Sequence, residues 1–371
     1  MCVHHVIGVG ALLRTKDPNA PITYSPLHDI ERALKILLCS HRFSPDIGGI
    51  ETVSALLACE FVRLGHYVRV LTTTAADDGR SWPFQVVRRP SSRELVRHTA
   101  WCDVFFQNNI SLQTVWAAFL LRKPWVVAHQ TWLTATDGRV TWHTRMKRLL
   151  LRFATNIAIS EAVARHVGRT CVQIGNPYDP ETFRLLPGVR RDRDLVFLGR
   201  LVSDKGADLL LRALGQLRDR GRTPSLTIIG SGPEEAALRA LTEELGLCAQ
   251  VEFAGSHSGQ ALAAMLNRHR ILVVPSRWAE PFGVVGLEGI ACGCVAIGSE
   301  QGGLPSAIGP CGCTVPNGDA PALAEAIQRV LGDESLQERY RASAAEHLAR
   351  HTVQSVAAAY LGVFKDATRS S

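Results

Sequence analysis

From Leu34 onward, short apolar runs alternate with segments of helical period, and the whole alternation occurs twice. The first pass places strands at 35–39, 68–72, 104–106, 125–128 and 156–160, with helical patterns at 51–64 and 161–167. The second places strands at 195–198, 225–229, 251–254, 271–274 and 295–297, with helices at 208–219, 234–245, 260–267, 284–291 and 321–331. A strand covered on both faces reads as an unbroken apolar run, and a helix after each strand returns the chain so that the next strand lies parallel. Between the two passes, residues 186–194 carry a proline, a glycine and five charges, the composition of a linker. The expected fold is therefore α/β, with two doubly wound, Rossmann-like domains at 34–187 and 188–345 facing across a cleft. Residues 1–33 carry three prolines and no sustained periodicity and are expected to be an N-terminal extension. Helical patterns at 335–348 and 353–363 follow the second domain.

Composition limits what such a fold can do. The apolar fraction is 46% and no run of about 18 apolar residues occurs, which excludes an integral membrane protein. The stretch 6–13 is too short to anchor and has no basic leader, so the cytoplasm is the expected location, with contact at the inner face of a membrane as a further expectation. The net charge of +7 is uneven: 22 basic and 14 acidic residues through Leu185, against 19 and 20 from Leu186 on. A positive first half suggests an anionic partner. No nucleic-acid motif accompanies it, and none is expected as a partner, which leaves an anionic membrane or a phosphorylated lipid. Arg145, Lys147, Arg148 and Arg152 interleave with Trp142, Met146, Leu149, Leu150 and Phe153. That helix either packs its apolar side inward or rests in a membrane interface. The ten cysteines read as reduced thiols. Cys292-Gly-Cys294 and Cys311-Gly-Cys313 lack the two-residue spacing of a zinc knuckle, and neither a metal nor a cofactor is expected.

The residues that can do chemistry sit at the ends of these strands. Glu280 and Glu288 flank Pro281-Phe282-Gly283, which opens into the helical pattern at Val284. At a helix start the amides of Phe282 and Gly283 can donate to an anion, while carboxylates accept from sugar hydroxyls. Arg200 and Lys205 frame a strand-to-helix turn where both cations can converge on a diphosphate. There they would offset the charge that builds on a departing phosphate oxygen. Gly48 and Gly49 lie where the first strand runs into its helix and permit close approach of the backbone to a ligand.

Taken in order, these motifs resemble the retaining glycosyltransferases of family 4, which have the GT-B fold. The resemblance rests on Glu280-x7-Glu288 after Val273-Val274-Pro275-Ser276, on Pro45-Asp46-Ile47-Gly48-Gly49-Ile50-Glu51, on Phe197-Leu198-Gly199-Arg200 with Lys205-Gly206, and on Ile228-Ile229-Gly230-Ser231-Gly232-Pro233, and it spans 35–345. It implies transfer of a sugar from a nucleotide-diphosphate donor to a glycan or lipid-linked acceptor, in the assembly of cell-envelope polysaccharide or glycolipid. No protein nucleophile is implied, because the acceptor enters on the face from which the nucleotide leaves.

By the same resemblance Glu280 faces the donor sugar and diphosphate, Glu288 accepts from the ribose hydroxyls, and His129 faces the donor sugar. Arg200 and Lys205 stabilise the leaving group; Gly48, Gly49, Pro281, Phe282, Gly283 and Val284 contact the donor. Gly230 and Gly232 shape the turn beside base and ribose, Ser256 and His257 border the base, and helices in 346–371 cross back onto the first domain. Two positions depart from the family: Asn176-Pro177-Tyr178-Asp179 stands for Asn-Gly-Val-Asp, and Ser306 stands where glutamate is usual. Asp192-Arg193-Asp194 precedes a strand instead of following one, unlike the metal-binding Asp-x-Asp of the other glycosyltransferase fold.

Three rival functions share parts of this pattern. A nicotinamide-dependent oxidoreductase also uses doubly wound domains, but no Gly-x-Gly-x-x-Gly follows the first strand. A nucleotide-sugar epimerase of the same fold and a non-catalytic nucleotide-sugar binder are the alternatives. A requirement for an acceptor separates the first, and any transfer at all separates the second.

Overall fold

Parallel pairing converts the two passes of alternation into two sheets. The computed structural model describes residues 32–46, 48–77, 79–134 and 141–369, so the expected N-terminal extension and the apolar stretch 6–13 lie outside the described residues, apart from Arg32 and Ala33. The first sheet holds β1 (Lys35–Ser40), β2 (Tyr67–Thr72), β3 (Gln85–Arg88), β4 (Val104–Asn108), β5 (Trp125–His129), β6 (Thr155–Ala158) and β7 (Cys171–Gln173), in the order β3-β2-β1-β4-β5-β6-β7. The second holds β8 (Arg193–Leu198), β9 (Leu226–Ile229), β10 (Val251–Gly255), β11 (His269–Val274), β12 (Val295–Ser299) and β13 (Gly312–Val315), in the order β10-β9-β8-β11-β12-β13. Pairing is parallel throughout both. Each sheet is thus doubly wound, with its strand order reversing beside β1 and β4 in one and beside β8 and β11 in the other, where open α/β sheets bind ligands.

Successive side chains of a strand point to opposite faces, and the core follows that rule. Ile36, Leu38, Val104, Phe106, Val126 and Ala128 meet Val53, Leu57 and Phe61 of the helix Gly49–Arg63 on one face of the first sheet. Leu37, Cys39, Phe105, Trp125 and Val127 point to the other face, in a cluster that continues into Val196, Leu272, Val274, Phe282 and Leu287 of the second half. The far face of the second sheet, with Leu195, Phe197, Ile271, Val273, Val295 and Ile297, is covered by the helices Ala207–Asp219 and Ala320–Gly332. The described residues from Leu34 on form one compact unit.

Three strands are absent from the sequence reading: β3, β7 and β13. All three lie at sheet edges and are partly exposed. An edge strand lacks the double burial that writes an unbroken apolar run. The helices Ser92–Trp101 and Leu112–Leu120 were not expected either, although Ser91 and Glu94 form a capping box that marks the first of them. The pattern at 335–348 is two helices, Glu334–Ala342 and Ala344–Ala349, parted at Ser343. No helix among the described residues is long and apolar enough to cross a membrane.

After β7 the chain returns through Asn176 and Tyr178, and beside it lies the turn at His351 and Thr352. Tyr178 N donates to His351 O (3.1 Å), His351 Nδ1 donates to Asn176 O (3.1 Å), and Tyr178 forms a parallel bridge with Thr352. From there the helix Val353–Arg369 lies on the first sheet's core, with Phe364 against Phe61 and Phe106 at centroid distances of 5.6 and 5.1 Å, and Tyr360 against Phe106 at 5.5 Å. Phe364 is fully buried. Phe364→Ala leaves a cavity in that aromatic cluster and is expected to cost about 3–5 kcal/mol in urea unfolding. A loss under about 1 kcal/mol, the size of an ordinary surface change, would show that the helix is not part of the first half's core.

Candidate functional site

The loops that leave the carboxyl ends of the two sheets enclose two adjoining cavities. The first, of about 440 Å³, is lined by Gly49, Ile50 and Glu51 from the loop and helix after β1, by Gln130 and Thr131 after β5, and by Asn176 after β7. From the second half come Gly199 and Arg200 after β8, Lys205, and Trp278, Glu280, Pro281, Phe282, Gly283, Val284 and Val285 after β11. The second cavity, of about 660 Å³, is lined by Asp46, Gly48, Tyr178, Asp179, Gly259 and Glu288 among others, and shares Gly49, Glu51, Val284 and Val285 with the first.

The loop carrying Glu280 is fixed from several sides. Glu280 bridges to Gly302, and Gly303 N donates to Glu280 O at 2.6 Å. A Cβ at Gly302 or Gly303 would overlap the backbone of Ala279 to Phe282, so this approach needs glycine at both positions. The Glu280 carboxylate accepts from Ser276 Oγ at 2.9 Å and forms an ion pair with Lys205. Lys205 ends the one-turn helix Ser203–Lys205, and Gly206 follows in the left-handed region (φ 69°), where a Cβ would meet Pro275 O. The Lys-Gly pair in the sequence is thus the local geometry that swings the ammonium onto the glutamate. From the first half, Trp132 Nε1 donates to Ala279 O (2.9 Å) and Ser160 Oγ to Pro281 O (2.8 Å). Arg200 is exposed on the cavity wall and makes no ion pair among the described residues.

Two helices start on the first cavity, Gly49–Arg63 and Val284–Ala291, and neither N-cap carries a capping side-chain bond. Their leading amides and dipoles add positive potential to that of Arg200 and Lys205, on a wall that also carries the carboxylates of Glu51 and Glu280. Glu288 sits one turn into the second helix, partly buried, beside Asp179 on the second cavity. Removal from water, reinforced by the Asp179 carboxylate, pushes its pKa up to about 7.

The sequence-based site residues divide by place. Arg200, Lys205, Glu280, Gly49, Pro281, Phe282, Gly283 and Val284 line the first cavity; Gly48 and Glu288 line the second, again with Gly49 and Val284. His129 lines neither. It is the last residue of a strand buried along its whole length, is itself fully buried, and bonds Asn156 Oδ1 through Nε2 at 3.0 Å. Asn156 Nδ2 is spent on Leu151 O and Ala154 O, so Oδ1 must accept, which puts the imidazole proton on Nε2. Burial holds His129 down at about 4, against the opposing bond to Asn156, so the ring is neutral at physiological pH. The chain reaches the cavity one residue later, at Gln130.

Gly230, Gly232, Ser256 and His257 line neither cavity. Cβ atoms at Gly230 and Gly232 would overlap Gly199 and Leu201, so close packing of the loops after β8 and β9 accounts for both glycines. Ser256 Oγ pairs with Ser231 Oγ at 2.8 Å, and His257 Nε2 donates to Ala254 O at 3.0 Å, both on the surface. Of the family departures, Pro177 and Tyr178 reach the second cavity, while Ser306 reaches neither; Asn176 and Asp179, which flank the first two, line the first and second cavities.

Sequence reasoning missed Gln130, Thr131, Asn176 and Trp278 as wall residues. Gln130 and Asn176 are 4% and 6% exposed, and Gln130 Nε2, Gln130 Oε1 and Asn176 Oδ1 have no hydrogen-bond partner among the described residues. The sequence signal for Gln130 is its position, immediately past the carboxyl end of β5, and that for Asn176 is its place at the start of the Asn-Pro-Tyr-Asp segment after β7. The two Cys-Gly-Cys pairs are elsewhere: burial pushes Cys292 and Cys294 up to about 12 and Cys311 up to about 11, so these sulfurs stay thiols. Among the described residues no three His, Cys, Asp or Glu side chains gather as metal ligands would.

Residues 185–347 match the model of the family described as glycosyl transferases group 1. The D-inositol 3-phosphate glycosyltransferase of Corynebacterium jeikeium is 31% identical over 47% of this chain and 44% of its own length, so the chain covers less than half of that relative. The phosphatidyl-myo-inositol mannosyltransferase of Mycobacterium leprae is 26% identical over 90% of this chain and 97% of its own length. The crystal structure of Anabaena HepE in complex with UDP and glucose superposes with a TM-score of 0.73 at 20% identity, covering 90% of this chain and all of that one. Sucrose-phosphate synthase from Thermosynechococcus elongatus superposes at 0.72 and 22%, covering 91% and 100%.

Glu288 gives the ligand-free protein a pH signature. As pH rises from about 4.5, the ordinary value, to about 7, the unfolded chain releases this proton while the folded one keeps it, so stability falls across that window. His129 and His351, held down at about 4 chiefly by burial, act in the opposite sense. The diagnostic is therefore the difference between wild type and Glu288→Gln in urea unfolding. The variant's relative stability should climb by up to about 3 kcal/mol between pH 4.5 and 7; a pH-independent difference would show that Glu288 ionises freely.

Proposed function

We propose, for a chain whose residues 185–347 match the group 1 glycosyltransferases and whose two domains have the GT-B fold, that the paired cavities bind a nucleotide-diphosphate sugar and pass its sugar, with retention, to a glycan or lipid-linked acceptor. The observation that carries this reading is the gathering of Arg200, Lys205, Glu280 and two helix N-termini on one wall system. Such a site suits a diphosphate held beside a polyol.

The residues divide the work by position. Arg200, which makes no ion pair among the described residues, and the amides that open the two helices receive the diphosphate. Lys205 lies between that anion and Glu280, so its ammonium can lean toward the leaving oxygen as charge builds there. A preplaced donor or cation at such a point contributes about 3–4 kcal/mol to the barrier. Gly49 supports a close-fitting ligand: a Cβ there would meet nothing among the described residues, so the protein's own packing does not require glycine. In the adjoining cavity Glu288 accepts from the ribose hydroxyls, and doing so favours its ionised form, so donor binding releases a proton between pH 5 and 7. Glu280, tied by Lys205 and Ser276, suits orientation of the sugar better than attack on it. The carboxylates lie on separate cavities and not across one bond, which weighs against a glycosidase pair. Glycosyl transfer needs neither metal nor cofactor from these residues. No observation favours the epimerase or the non-catalytic binder.

The acceptor side rests on surface chemistry and on the relatives. The helix Trp142–Leu150 buries only Thr144 among its residues and leaves Trp142, Met146 and Leu149 exposed, together with Phe153 beyond it. Phe153 touches Phe119 of the neighbouring helix at 5.9 Å, which joins Trp116, Phe119 and Leu120 to the same apolar face beside Arg145 and Arg152. Inward packing takes Thr144 and Leu150 of that helix and leaves these other apolar side chains exposed. The patch supports contact with an anionic membrane and fits the lipid named for the Mycobacterium leprae relative, with cell-envelope glycolipid assembly at the cytoplasmic face as the setting.

In a thermal-shift panel of nucleoside diphosphates and their sugars, one nucleotide should raise the melting temperature of the wild type. Lys205→Ala and Glu288→Ala should each abolish that rise; stabilisation by none of the panel would sink the donor reading. Flotation with anionic vesicles at low salt should carry the protein, and Leu149→Glu with Phe153→Glu should leave it behind; wild-type protein that stays behind contradicts the membrane contact.

A further inference from the structure

Gln130 presents a carboxamide to the first cavity, and neither of its polar atoms has a hydrogen-bond partner among the described residues. The side chain is nine-tenths buried or more, at 4% exposure. Leaving a buried donor and acceptor both unsatisfied is costly, and native proteins keep such groups where something else completes them. The residue is also held by unusual means. Its backbone N donates to Asn109 Oδ1 at 2.7 Å, and Asn109 N donates in turn to Ala128 O at 2.8 Å. Asn109 adopts φ 77°, a left-handed conformation that non-glycine residues seldom occupy. Strain of this kind persists where the surroundings fix it, and it clusters at ligand sites. Here it aligns the end of β4 with the end of β5 and sets the direction in which Gln130 leaves the strand.

We infer that Gln130 is the residue that reads the transferred sugar: its Oε1 accepts from one hydroxyl and its Nε2 donates to the neighbouring one, so that it recognises a vicinal diol of defined configuration. This rests on the donor reading given above. A carboxamide offers one acceptor and two donor hydrogens on adjacent atoms, and two hydroxyls on adjacent ring carbons present the complementary pair. Arg200, Lys205 and the two helix starts supply charge, which a diphosphate satisfies without regard to the sugar. Gln130, neutral and fixed, supplies direction. A site that hydrogen-bonds a substrate hydroxyl discriminates strongly against a ligand lacking it or presenting it elsewhere, because its own buried groups are then left unpaired.

Gln130→Met keeps the length of the side chain and removes both polar atoms. Titrations with UDP, UDP-glucose, GDP and GDP-mannose, followed by calorimetry, separate the parts of the donor. Affinity for the preferred nucleoside diphosphate should stay within about twofold of wild type, while affinity for its sugar conjugate falls about 10- to 100-fold, the loss expected for two neutral hydrogen bonds. The ligand-free variant should melt at or above the wild-type temperature, since an unsatisfied amide has been removed. Gln130→Glu, which keeps the acceptor and loses the donor, should fall between the two.

Equal losses for nucleotide and nucleotide sugar, or no loss for either, would overturn the assignment to the sugar. Should the wild type bind none of the four, the donor reading fails first and this inference falls with it; nucleotide binding that survives without sugar discrimination removes the inference alone.

Discussion

The loop from Pro275 to Gly283 is the part on which the rest of the site depends, because nearly every group that matters is either on it or held against it. The second half fixes it through Gly302, Gly303 and the Lys205–Glu280 pair; the first half fixes it through Trp132 and Ser160. These two interdomain bonds end on main-chain carbonyls, so they specify where the loop lies without depending on its side chains. A neutral bond of this kind contributes only about 1 kcal/mol. Their value is positional: they set the first cavity's width where its walls come from different sheets.

Much of the fold was legible in the sequence because interior parallel strands are apolar on both faces and say so. Trp125-Val-Val-Ala and Ile271-Leu-Val-Val read as strands from their apolar continuity alone, and both lie inside their sheets. β3, β7 and β13 were invisible for the converse reason. Their pairing on one side is dictated by the neighbour and not by their own composition.

The site divides along a similar line. Charges and glycines announce themselves at turns, so Arg200, Lys205, Glu280 and Glu288, which line the two cavities, are legible from pattern. The same pattern points to Gly230 and Gly232, which line neither cavity and whose missing side chains make room for Gly199 and Leu201. Histidine is chemically conspicuous, yet His129, the final residue of its strand, is fully buried and lines neither cavity. Gln130 was passed over because glutamine is common and carries no motif. What distinguishes it is that nothing among the described residues answers its two polar atoms, a property of three dimensions that a string of letters does not record.

The helix Val353–Arg369 has an implication for biosynthesis. It supplies Val356, Tyr360 and Phe364 to the core of a sheet whose first strand begins at Lys35. A ribosome therefore delivers seven strands and then the entire second domain before the last wall of the earlier one exists. The emerging first half must wait with the sides of Phe61 and Phe106 that Tyr360 and Phe364 cover still open. Loop closure over such a separation is slow relative to local helix formation. Over that interval the nascent chain is the stage of the protein's life at which a holdase chaperone has the most apolar surface to grip.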